Sequence, residues 1–106
     1  MKSHFRYDTR LGIDVPALTM EWGSLECTEQ SFILEKWEKV RGSIPDRIAG
    51  IEKIIEKKQQ ALYEEEDFEQ SCRLNSEIAE LASIVNDLWI WYRSGEHLSV
   101  ESRLHT

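Results

Sequence analysis

Residues 43–95 read SIPDRIAGIEKIIEKKQQALYEEEDFEQSCRLNSEIAELASIVNDLWIWYRSG, and this stretch decides the fold. Ser43-Ile44-Pro45-Asp46 carries a helix-start signal: a capping hydroxyl, proline in the first turn and an acid three residues after the serine. Apolar residues then recur at Ile44, Ile48, Ile51, Ile55 and Leu62, with Lys58 at the missing step. That spacing is one face of a helix at heptad period. Lys58 can lie along the face on its methylenes and keep its charge in water. Glu64-Glu65-Glu66-Asp67 breaks the pattern, because four adjacent acids repel one another and have nothing to bury. Asp67 and Gln70 form a second capping-box pair. Leu74, Ile78, Leu81, Val85, Leu88 and Tyr92 continue at alternating steps of four and three, and Phe68 and Cys72 extend that stripe toward the break. Gly95 is placed to end the second helix. Two stripes joined by a short turn bury each other as an antiparallel pair.

The expected fold is all-α: a long antiparallel helical hairpin over about 44–63 and 68–94, a short preceding helix over about 29–41, and an extended N-terminal arm. Thr28 caps the short helix, with Glu29 in its first turn. Ile33, Trp37 and Val40 share its buried face, Phe32 and Leu34 flank it, and Gly42 closes it. In this reading neither proline lies inside a helix. Residues 1–27 form the arm. Phe5/Tyr7, Leu11/Ile13/Val15 and Leu18/Met20/Trp22 alternate with period two, interrupted by Gly12 and Pro16, which suits either a small two-stranded ribbon or an extended segment laid on the helices. A lone ribbon is marginal, so it should depend on the hairpin or on a partner. Residues 28–106 form one helical domain with a frayed C-terminal tail.

From Asp67 to Leu81 the order is Asp67-Phe68-Glu69, the small pair Ser71-Cys72, then Leu74, Ile78 and Leu81. This resembles the UVR motif, the short helical hairpin of bacterial excision-repair proteins and of some bacterial protease regulators. The resemblance covers about residues 48–85. The motif's small pair is Ser71-Cys72 here rather than two alanines, its Arg-Asp pair is replaced by Asn75-Ser76, and Gln59-Gln60 stand where the first helix tends to be apolar. The resemblance implies a hairpin that binds another protein, often a second helical hairpin, or that self-associates. Phe68 is the contact residue it carries over. A turn aromatic packed within its own hairpin is the competing reading.

Asn75 lies beside Leu74, and its amide either points outward or sits buried as a register-setting polar group. Leu88-Trp89-Ile90-Trp91-Tyr92 surrounds its helix with large apolar groups, so one face cannot bury them all. Either the short helix or the arm covers a second face, with Trp37 meeting Trp89, or the run is an exposed patch for a partner. The stripe places Trp89 at the buried edge and leaves Trp91 the more exposed indole.

The net charge of −7 is localised. Between Leu62 and Asp87 eight carboxylates face the single base Arg73, a balance of −7, so the rest of the chain is neutral. An acidic end without clustered Lys and Arg argues against nucleic-acid backbones; it serves solubility or steers toward a basic partner. Cys27 and Cys72 make no disulfide framework. No secretory apolar region follows Met1, and no apolar run reaches the ~20 residues of a bilayer span, so a cytoplasmic protein with free thiols is expected. His4, His97 and His105 show no ligand spacing. The five glycines are isolated, and the serines lack a nearby histidine base in any familiar pattern. No metal or cofactor is expected.

The function expected is therefore a non-enzymatic protein–protein interaction module, adaptor or regulator. Its partner-binding candidates are Glu65, Glu66, Asp67, Phe68, Glu69, Trp91 and Tyr92. The partner is another protein, a helical hairpin or a basic surface, and a homodimer fits as well; nucleic acid and membrane are not expected. Two alternatives stand beside it. One is a small helical enzyme with an intersubunit site around Arg41, Arg47 or Arg93. The other is an acidic mimic that occupies a basic surface.

Overall fold

The structure, a computed structural model, describes residues 4–18 and 20–104, with side chains through residue 94. A two-stranded ribbon comes first: β1 (Phe5–Asp8) and β2 (Ile13–Pro16) pair antiparallel, with Asp8 opposite Ile13 and Phe5 opposite Pro16. The turn between them closes through the Gly12 N–H, which donates to the Asp8 carbonyl at 2.7 Å, and the Leu11 N–H, which donates to Asp8 Oδ1 at 2.9 Å. Gly12 has φ +75°, a left-handed conformation that glycine enters without a Cβ penalty. So the arm is a ribbon. Leu18, Met20 and Trp22 lie outside the two strands; Trp22–Ser24 is a single 3-10 turn leading into the first helix.

α1 (Cys27–Glu64) and α2 (Phe68–Leu104) follow and pack together as an antiparallel hairpin. At about 1.5 Å per residue the 38 residues of α1 span roughly 57 Å, which accounts for the 59 Å long axis of the molecule. The expected division at Gly42-Ser43 does not occur. One helix runs from Cys27 through Pro45, and its N-cap is Glu26, with no side-chain cap. Thr28 is its second residue. The reason lies in the phase of the stripe. Ile33, Trp37, Val40, Ile44, Ile48 and Ile51 continue at steps of three and four across the supposed corner. Of these, Ile33, Trp37, Ile44, Ile48 and Ile51 are buried. A proline inside a helix has no N–H for the carbonyl four residues back and costs about 3 kcal/mol. Burial of a stripe that stays in phase outweighs that. Ser43 is no cap; its hydroxyl donates to the Val40 carbonyl at 2.6 Å, the back-bonding common inside helices. Gly95 does not end α2, which continues to Leu104. The side chain of His97, together with residues 105–106, lies outside the described residues.

The core sits at the open end of the hairpin, where three layers meet. Leu11, Ile13 and Val15 of the ribbon pack with Trp37, Ile44, Ile48 and Ile51 of α1 and Ile84 and Leu88 of α2. The ribbon therefore does not stand alone; its inward residues fill one groove of the helix pair. Toward the tip the layer thins to two helices, where Ile55, Leu62, Leu74, Ile78 and Leu81 are only half-buried.

A candidate interaction site at the hairpin tip

The tip lies 13 residues beyond Ile51, the last buried residue of α1, or about 20 Å along the axis. Residues 65–67 make the turn. The Glu65 N–H donates to the Leu62 carbonyl at 3.2 Å, and Glu65 Oε1 accepts from the Asp67 N–H at 3.1 Å. Asp67 then accepts the first intrahelical bond of α2, from the Ser71 N–H at 2.9 Å. Thus Glu65, half-buried, and Asp67 shape the turn, while Glu66 and Glu69 stand exposed. Behind the turn Lys58 Nζ meets Glu77 Oε2 at 2.6 Å and ties the helices across the seam.

Phe68 is 79% exposed, so it does not pack within its own hairpin. Tyr63, which the sequence reading passed over, is 91% exposed. Its signal was available: Leu62 holds the stripe, and the next residue points about 100° away from it. Two bare aromatic rings therefore flank the acidic turn in sequence. Asn75 is exposed, so its amide is no buried register group within this chain.

The aromatic run at the other end corrects an expectation. Trp91 is half-buried against the core, with its ring edge-on to Trp37 at 5.7 Å between centroids and 71° between planes. Trp89, expected to meet Trp37, is 39% exposed and packs edge-on to Tyr92 at 5.6 Å. The heptad steps from Leu88 by three as well as by four, and the step of three points Trp91 at the core. Tyr92 is half-buried and lies under the Arg41 guanidinium at 4.8 Å. Of the aromatic candidates, Phe68 lies mostly in solvent, whereas Trp91 and Tyr92 are partly consumed by the fold.

Two of the arginines named for an alternative site make contacts within the chain. Arg47 Nε donates to the Leu11 carbonyl at 3.0 Å, Arg41 pairs with Glu38 at 3.3 Å, and Arg93 is exposed on the other helix. Arg10, at the ribbon turn, reaches three groups on α2: Asp87 at 2.7 Å, Ser83 at 2.7 Å and Glu80 at 3.0 Å. Its guanidinium is held above its ordinary pKa, first by the bond to Asp87 and then by that to Glu80. A cleft of about 560 Å³ opens where the ribbon meets the start of α1, lined by His4, Met20, Leu25, Glu29 and Phe32 among others. There His4 Nε2 stands 3.5 Å from Glu29 Oε2. Among the described residues no group of three His, Cys, Asp or Glu side chains could hold a metal, and no helix is long and apolar enough to cross a membrane. Cys27 and Cys72 are free and exposed. Comparison with protein-family models, with curated proteins and with solved structures finds no match to this chain.

Proposed function

We propose that this chain is a non-enzymatic protein–protein interaction module, an adaptor or regulator that presents the tip of its hairpin to another protein. The carrying observation is the exposure of Tyr63 and Phe68 on either side of an acidic turn, about 20 Å beyond the core. Solvated aromatic rings contribute nothing to the fold, and aromatic residues are the usual anchors of interfaces. Phe68 is also the position that the UVR-like order Asp67-Phe68-Glu69 marks as a contact. The acids around the rings favour a partner with Lys and Arg about an apolar socket, since opposite charge steers encounter and an aromatic face accepts a cation. Two free thiols suit the reducing cytoplasm.

The test compares capture of binding proteins by the wild-type chain and by Tyr63→Ala and Phe68→Ala. Both variants should melt within about 0.5 kcal/mol of wild type, as surface changes do. A protein retained by wild type should be lost with either variant, and its retention should weaken with salt. Equal retention by all three chains refutes the tip as the contact.

A further inference from the structure

The cleft where the ribbon meets the start of α1 lies at the far end of the hairpin from the tip, so it does not depend on the contact proposed there. Its walls are fixed from within the chain. The Ala17 N–H donates to the His4 carbonyl at 2.9 Å, the Leu25 N–H to the Trp22 carbonyl at 3.2 Å, and Gln30 Nε2 to the same Trp22 carbonyl at 2.8 Å. The linker between β2 and α1 is thereby tied to the ribbon at one end and to the helix at the other. The cleft is already formed, and its volume of about 560 Å³ is that of a small-molecule site. Leu25 is buried at its edge, and Met20 and Phe32 line it with much of their surface in solvent.

We infer that this cleft binds a small organic cation, a protonated amine carried on an apolar body. Charge selects the sign. Glu26 and Glu29 both line the cleft, and among the described lining residues there is no Lys or Arg. Lys36, one turn beyond Phe32, lies over the Phe5 ring at 4.7 Å and is not among them. The first turn of a helix by itself attracts an anion, but Glu29 already stands in the first turn of α1. An anionic ligand would meet two carboxylates there. Glu29 keeps room for a second partner: its side chain is 48% exposed and stands 3.5 Å from His4 Nε2, and a carboxylate has about four acceptor positions. The His4 side chain is only 11% exposed, and its Nδ1 is buried with no hydrogen-bond partner among the described residues. Whichever nitrogen carries the proton, Nδ1 is left unmatched, so the polar lining of the cleft is incomplete within the chain. An ammonium group between His4 Nε2 and Glu29 gives both an N–H to accept. Phe32 follows Glu29 by three residues, so ring and carboxylate lie on one side of α1. A ring face beside a carboxylate holds an ammonium by cation–π attraction as well as by charge, and Met20 and Leu25 receive the apolar body.

Titration of the isotope-labelled full chain with phenethylammonium, followed by backbone amide shifts, tests the site. Phenylethanol and phenylpropionate are the neutral and anionic probes of similar size. Phenethylammonium should move the amides of Leu25, Thr28, Glu29 and Phe32 and saturate at low millimolar concentration. Phenylethanol should bind about tenfold more weakly, and phenylpropionate should not bind. Glu29→Gln and Phe32→Ala should each weaken phenethylammonium by about tenfold. Both positions are exposed, so the variants should stay folded, with unchanged amide shifts at the buried Ile44 and Leu88. Glu52→Gln removes an exposed carboxylate about 30 Å along α1 from Phe32 and should leave binding as it is. Acetyl-lysine amide separates a free amine from the lysine of a protein partner; it lacks the ring and should bind more weakly than phenethylammonium. Still amides at the cleft, phenylpropionate binding as tightly as phenethylammonium, an equal loss with Glu52→Gln, or tighter binding of the lysine amide would each overturn the inference.

Discussion

Trp37→Ala tests where the core of this protein is. Trp37 is 1% exposed and packs with Ile44, Ile48, Leu88 and the ribbon residues Leu11 and Ile13 as part of one cluster. A tryptophan buries about 150–250 Å², which at ~25 cal/mol per Å² corresponds to roughly 4–6 kcal/mol of transfer free energy. Measured aromatic-to-alanine changes in cores cost about 3–5 kcal/mol after partial collapse of the cavity. The edge-on contact with Trp91 adds about 0.5–1.5 kcal/mol. A domain of this size has on the order of 5–15 kcal/mol in total, so the variant should sit near the edge of folding. Its melting midpoint should fall by on the order of 15–25 °C. Urea unfolding of wild type, Trp37→Ala, Trp91→Ala and the double variant gives the cycle. The coupling between the two indoles should be about 0.5–1.5 kcal/mol. Trp89→Ala is the control: at 39% exposure its removal should cost less than about 2 kcal/mol. A loss below about 1 kcal/mol for Trp37→Ala, or a larger loss for Trp89→Ala than for Trp91→Ala, would refute the three-layer core described above.

Two glycines should respond in opposite directions to alanine. At Gly12 a Cβ would stand 2.9 Å from Arg47 Nε on a backbone with φ +75°, so Gly12→Ala should cost at least about 1–2 kcal/mol and disturb the Arg47 bond to Leu11. At Gly50, inside α1, a Cβ meets nothing within 4 Å, so Gly50→Ala should add about 0.5–1 kcal/mol, measured as a higher urea midpoint at unchanged slope. Arg10→Ala removes the three bonds from the ribbon turn to α2 but leaves Leu11 in the core; amide exchange at Leu11 and Gly12 should quicken while the global midpoint barely moves. Because the folded-state pKa of Arg10 is raised, its contribution is complete below the ordinary guanidinium range and is lost only as pH climbs through the higher folded value. Stability attributable to Arg10 itself should therefore be flat through neutral and mildly alkaline pH.

The hairpin was legible because its information is local. Period 3.5 stripes on both sides of four consecutive acids fix two helices, the turn and the faces that meet, and the structure places the turn at residues 65–67. The exposure of Phe68 was not legible, since the sequence reading set it on the apolar stripe and left packing within the hairpin as a competing reading. The false break at Gly42-Ser43 shows the opposite case. Glycine, serine and proline are strong local signals, yet Ile44 and Ile48 are in phase with Trp37, and burial across the junction carries one helix through it. Phase over the whole of residues 33–55 was the better guide than any capping residue.

What the chain by itself determined is thus the helix pair and its acidic tip. Only the tertiary structure decided which groove the ribbon fills and which indole faces the core. Leu11, Ile13 and Val15 alternate with period two, which says that they share a side but not what they meet. Arg10 and Arg47 make their bonds to groups 70 to 77 and 36 residues away in sequence. Contacts at such separations leave no periodic trace. The stripe likewise favoured Trp89 over Trp91, and only the packing of Trp37 from α1, with the ribbon closing the same groove, selects Trp91 for the core.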